Sequence, residues 1–99
     1  MRRHPRLLFS VPVKLRHLAA GGIRTHRGIS LDISESGVAA LVEGRLGIGD
    51  TIQIELKLPS GELHAIAVVR HSSPLRSGFE FIGLTAEERA CISQMVPPS

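Results

Sequence analysis

Across residues 51–58 every second side chain is aliphatic. Ile52, Ile54, Leu56 and Leu58 alternate with Gln53, Glu55 and Lys57, which puts one set on each face of an extended strand. The same two-residue period recurs along most of the chain, so the chain must build a sheet with one buried face. Phe9, Val11, Val13 and Leu15 alternate with Ser10, Pro12 and Lys14. Pro12 has no N–H to give to a ladder, so an edge strand or a bulge is expected there. Residues 23–33 read as a second strand with Ile29, Leu31 and Ile33 inward, and residues 38–43, 63–71 and 79–84 as further strands. Turns are expected at Ala19 to Gly22, Ser34-Glu-Ser-Gly37, Gly47-Ile-Gly-Asp50, Pro59-Ser-Gly61 and Ser73-Pro-Leu-Arg-Ser-Gly78. At Gly37, backbone freedom is expected to let the chain reverse direction.

After residue 84 the period changes. Thr85-Ala-Glu-Glu88 has the S/T-x-x-E form of a capping box, Ile92, Met95 and Val96 follow at helical spacing, and Pro97-Pro98 closes the helix. Strands joined by short turns, without helical crossovers, exclude a parallel sheet. Five or six antiparallel strands followed by one helix fit a small barrel, which removes the exposed edges of a short sheet. The 99 residues allow one domain, and with only three Phe and neither Trp nor Tyr its core must be aliphatic.

Charge is unevenly spread. Seven basic residues and no acidic one precede Asp32, whereas the remainder has five basic and nine acidic residues. A basic first third suggests an anionic partner, either a nucleotide, a nucleic acid or a membrane surface, and a solvated face is the plain alternative. No run approaches the ~18 apolar residues of a membrane span. The stretch after Arg2, Arg3 and Arg6 is broken by Pro12 and Lys14 and lacks a signal-peptide cleavage pattern. A cytoplasmic protein is therefore expected, in keeping with the single thiol, Cys91.

Little points to an enzyme. There is no G-x-S-x-G elbow, no phosphate-binding G-x-x-x-x-G-K-[ST] loop, and no metal-ligand spacing among His4, His17, His26, His64 and His71. Cys91 reads as a packing residue of the helix, and neither a metal nor a cofactor is expected. Two short constellations remain. Arg2-Arg-His-Pro-Arg6 sets two arginines four apart, and Asp32-Ile-Ser-Glu-Ser-Gly37 sets a carboxylate and a hydroxyl on one strand face, opposite Leu31 and Ile33, beside a glycine. Taken singly, they also read as a disordered basic start and a turn-capping pair.

In order, with these flanks, R-x-x-x-R, a strand, [D/N]-x-S-x-x-G and a barrel ending in a short helix resemble the PilZ domain over essentially the whole chain. The Gly47-x-Gly49-Asp50 turn and Gly78-Phe-Glu-Phe81 are weaker echoes. The resemblance implies a mainly β, six-stranded antiparallel Greek-key-like split barrel with a C-terminal helix. It implies a single domain over residues 1–99, with a flexible arginine segment at 1–8, the barrel at 9–84 and the helix at 85–96.

PilZ domains bind cyclic di-GMP, and the residues suit that ligand. By resemblance Arg2 and Arg6 hold phosphate and guanine edges, with Arg3 a third donor, because the guanidinium fork matches both groups. Asp32 accepts from guanine N1–H and N2–H2, a donor pair that adenine lacks. Ser34 donates to a ligand oxygen, and Gly37 allows close backbone approach. Many members carry an aromatic where this chain has Arg70 and His71, either of which can stack on guanine. Met1 stands where many have another arginine, a position that bears on one ligand against a stacked pair. The implied mechanism is a latch: ligand clamps the arginine segment over Asp32 to Gly37 and creates a surface for a separate partner protein. Two alternatives are a PilZ-like protein adaptor that binds no nucleotide, and a basic barrel for single-stranded nucleic acid. The second would need exposed aromatic rings for stacking.

Overall fold

In the computed structural model, residues 7–8, 10–19, 21–44, 46–58 and 61–95 are described. Residues 1–6 of the expected flexible segment, with Arg2, Arg3 and Arg6, lie outside these residues, as does Phe9, whereas the last two residues of that segment, Leu7 and Leu8, form a short paired strand.

The strands are β1 (Leu7–Leu8), β2 (Pro12–Ala19), β3 (Gly22–Ile33), β4 (Gly37–Val42), β5 (Thr51–Leu58), β6 (Gly61–Ser72) and β7 (Ser77–Ile82), followed by α1 (Ala86–Met95). All pairings are antiparallel. Six strands run in the order β3-β2-β5-β6-β7-β4, and β4 pairs with β3 to close the barrel. The two-residue β1 adds to β3 at Ile33 and Asp32. Pro12 does not lie on a sheet edge. It opens β2 as the register partner of Ile29 on β3, and pairing with β5 begins one residue later at Val13.

The interior follows the two-residue period. Val13, Leu15, Ile52, Ile54, Leu56, Ala67, Val69 and Phe79 are buried in one cluster. Burying each large aliphatic side chain stabilises the fold by roughly 1.5–3 kcal/mol before chain entropy is counted. The capping box forms as its sequence predicts. The Thr85 amide donates to Glu88 Oε1 at 2.8 Å, and the Glu88 amide donates to Thr85 Oγ1 at 3.1 Å. It fixes the start of α1 so that Ile92 is fully buried in the barrel cluster and Cys91 packs at its margin. A cleft between the helix and the β5–β6 end is lined by Leu58, Leu63, Glu88 and Cys91, which places α1 over that mouth.

β3 departs from the expected alternation. Its register with β4 shifts between Ser30 and Asp32, leaving Leu31 as an extra residue, a β-bulge. A one-residue slip exchanges the faces. Ile29 is therefore 52% exposed rather than inward, while Ser30 is buried in its place and Ile33 is fully buried. Ser30 is accommodated because its hydroxyl accepts the Val11 amide at 2.9 Å, and its own amide donates to the Val11 carbonyl at 2.9 Å. This pair bridges the break between β1 and β2.

Candidate functional site

The bulge aims Asp32 at the outside of the barrel. Its register partner on β4 is Ala39, whose partner on β7 is Gly78, whose partner on β6 is His71. The row Asp32–Ala39–Gly78–His71 crosses four strands, with two of the smallest residues between two larger ones. Ala39 is only 5% exposed yet lies outside the core cluster, because taller neighbours shade it. A groove of about 480 Å³ results, lined by Asp32, Ser36, Gly37, Arg70, Arg76 and Glu80 among others.

Both arginines in the groove are held by carboxylates. Arg70 donates to Glu80 Oε1 from Nε at 3.0 Å and from Nη2 at 2.6 Å. Arg76, in the turn between β6 and β7, donates from Nη2 to Asp32 Oδ2 at 3.3 Å. The Arg70 and Glu80 side chains are each more than half exposed, so water screens this pair and a ligand can exchange for it at little loss. The Asp32 side chain is only 12% exposed, so it brings a localised acceptor to a partly shielded place.

Asp32 and Gly37 of the sequence motif both line this groove, whereas Ser34 does not share the exposed face expected for it. Ser34 is fully buried. Its hydroxyl accepts the Ser36 amide at 3.2 Å and lies 2.8 Å from the Ser36 hydroxyl, while its amide donates to the Gly37 carbonyl at 2.9 Å. Asp32 too is largely buried rather than open to water. Gly37 is needed for closeness rather than for a left-handed turn. Its φ is not positive, and a Cβ there would fall on the Phe79 carbonyl oxygen of β7.

Arg70 and His71 line the groove, at the strand end singled out in the sequence. Arg76, Ser36 and Glu80 were not apparent as site residues. Arg76 lies 44 positions from Asp32 in an ordinary-looking turn, and only strand pairing brings the two together.

The model of the PilZ domain family matches residues 1–96. The chain belongs to the PilZ domain family. Solved structures agree on the fold of this PilZ domain. The inhibitor of motility MotI/DgrA of Bacillus subtilis superposes with a TM-score of 0.79 at 19% identity, over 96% of this chain and 49% of that one. The PilZ domain of CeSA from a cellulose-synthesizing bacterium gives 0.72 at 20% identity, covering 93% of this chain and 94% of that chain. The PilZ domain of YcgR from Escherichia coli, solved with c-di-GMP, gives 0.72 at 21% identity, over 95% of this chain and 87% of that one. This PilZ domain thus spans about half of the Bacillus protein and most of the two isolated domains. The comparison with curated protein sequences gave no match. No helix among the described residues is long and apolar enough to cross a membrane.

Proposed function

We propose that this PilZ domain is a cyclic di-GMP receptor that passes the binding event to a separate protein and catalyses no reaction itself. The observation that carries the reading is the meeting of Asp32 and Gly37, from the [D/N]-x-S-x-x-G motif, with Arg70 and Arg76 in one outward groove. The fold shared with the c-di-GMP-bound YcgR domain supports it.

In this reading Asp32 leaves Arg76 and accepts from guanine N1–H and N2–H2, while the freed guanidinium turns to a phosphate or a guanine face. Guanidinium forks suit both groups, and a bidentate guanine contact contributes about 1–3 kcal/mol of discrimination. Arg2 and Arg6 supply the phosphate and guanine-edge donors, with Arg3 beside them. Ser34 acts through the turn it holds, which presents Ser36 to the ligand. Closing the arginine segment over the groove is the signal a partner reads. A cytoplasmic setting suits the free Cys91 thiol.

Calorimetric titration with cyclic di-GMP, with cyclic di-AMP and GTP as controls, tests the proposal. Saturable binding selective for cyclic di-GMP is expected, and its molar ratio separates one ligand from a stacked pair. Arg6→Ala should abolish it while the apo melt stays nearly unchanged. No heat and no melting shift would turn the reading to a PilZ-like adaptor for protein alone.

A further inference from the structure

We infer that Glu80 is an internal stand-in for a ligand phosphate. Its carboxylate holds Arg70 in the free protein and is displaced when nucleotide binds, so Glu80 sets how tightly the groove takes its ligand. The inference rests on the receptor reading and concerns a residue outside the arginine and [D/N]-x-S-x-x-G motifs.

Two strand features bring the pair together. Val69 of β6 pairs with Phe79 and His71 pairs with Gly78, which leaves Arg70 as an extra residue in a second β-bulge. The bulge leaves Arg70 and His71 both exposed, whereas Val69 before them is fully buried. On β7, Glu80 has Val68 as its partner on β6 and Gly37 as its partner on β4. Gly37 offers no side chain, so the Glu80 carboxylate meets its charged partner on the β6 side.

The contact occupies the part of Arg70 that a phosphate needs. Nε donates at 3.0 Å and Nη2 at 2.6 Å, both to Glu80 Oε1. These two groups form one edge of the guanidinium, and such an edge forks a phosphate or the O6/N7 edge of guanine. It cannot serve Glu80 and a ligand anion together. Asp32 differs, because it is shielded and gives up a single 3.3 Å contact to accept from guanine. Glu80 is open to water, so once displaced its carboxylate is hydrated again.

Charge points the same way. The arginines and carboxylates that line the groove balance, with Arg70 and Arg76 against Asp32 and Glu80. A ligand with two phosphates meets an attractive field from these four groups only when one carboxylate is turned away or neutralised.

Titration of the parent, Glu80→Gln, Arg70→Ala and the double variant with cyclic di-GMP tests the inference. Glu80→Gln keeps the shape and removes the charge. It should tighten binding about fivefold, the upper value of an exposed ion pair converted to an affinity ratio. Arg70→Ala should weaken binding, and in that background Glu80→Gln should change affinity by less than about twofold, since no guanidinium remains to be freed. In the free chain, the Arg70 Nε–H resonance should move and exchange faster with water in Glu80→Gln than in the parent. Addition of cyclic di-GMP should shift that resonance in the parent. An affinity in Glu80→Gln equal to the parent's or weaker would overturn the inference, the weaker value marking Glu80 as a ligand contact. A gain of the same size in the Arg70→Ala background would also overturn it, because Glu80 would then act by repulsion alone. Binding by the parent without the gain overturns this inference and leaves the receptor reading standing, whereas no binding by parent or variants overturns both.

Discussion

Arg76 donates to Asp32 at 3.3 Å and thereby joins the β6–β7 turn to the strand that leads into the Ser34 turn. The two ends of this contact differ in setting. The Asp32 side chain is 12% exposed and that of Arg76 is 55% exposed, so water weakens what the pair contributes to stability. Arg76→Ala should therefore lower the apo stability by no more than about 1 kcal/mol. Asp32→Asn keeps the shape but replaces an acceptor with a mixed amide. On the receptor reading, it should weaken cyclic di-GMP binding by about ten- to a hundredfold, corresponding to the 1–3 kcal/mol of a paired guanine contact. Titration of the two variants beside their melting curves checks both statements. Undiminished affinity in Asp32→Asn would remove Asp32 from the ligand's contacts.

Gly37 and Gly28 meet neighbouring backbone in the same way. A Cβ on Gly37 would fall on the Phe79 carbonyl oxygen, and one on Gly28 on the Leu41 carbonyl oxygen. Backbone of a paired strand cannot step aside as a flexible side chain can. Gly37→Ala and Gly28→Ala should each destabilise the barrel by about 1–3 kcal/mol, the usual range for overpacking. In a domain of this size, that is a fall in Tm of roughly 4–8 °C per kcal/mol. Gly21→Ala, where nothing lies within 4 Å, serves as the control and should melt close to the parent. Equal melts for all three would show that the strands can separate locally without loss.

Ser34 and Ser36 should divide structure from binding. The Ser34 hydroxyl is buried and accepts the Ser36 amide, so Ser34→Ala leaves a turn amide without its partner. A loss of about 1 kcal/mol in apo stability is expected. Ser36 lines the groove, and Ser36→Ala should act mainly on ligand affinity, with a melt near the parent's. Differential scanning calorimetry paired with ligand titration distinguishes them. The reverse pattern would mean that the turn opens to expose Ser34 when ligand binds.

The strands and the helix cap were legible because each rests on local chemistry. Ile52 to Leu58 alternate in sequence and alternate in burial, and Thr85 finds Glu88 three residues away. The groove was only half legible. Asp32 and Gly37 stand in a motif, but the bulge at Leu31 arises from pairing between β3 and β4 and has no local signature. It reverses Ile29 and Ser30, so alternation read straight through residues 23–33 put the wrong residue inside. Arg76 was out of reach for a related reason. Its position depends on how β6 and β7 register against β4 and β3, a property of four strands at once.

The helix offers a test of how the mouth of the barrel is closed. Thr85 and Glu88 exchange two hydrogen bonds at the start of α1, and the Arg89 amide donates to the Thr85 carbonyl at 3.0 Å. Short helices are marginal alone, so α1 persists because the cap and Ile92 act together. Thr85→Ala should cost about 0.5–2 kcal/mol, the range for losing such a cap. Ile92→Ala should cost about 2–5 kcal/mol, because Ile92 is fully buried in the core cluster and its truncation leaves a cavity. Both lie away from the Asp32 groove, so cyclic di-GMP affinity measured well below either melt should be unaltered. Amide hydrogen exchange separates two modes of failure. Faster exchange confined to residues 86–95 in Thr85→Ala would mean that α1 frays from a standing barrel. Faster exchange spreading into β5 and β6 would mean that the helix is part of the barrel's own cooperative unit.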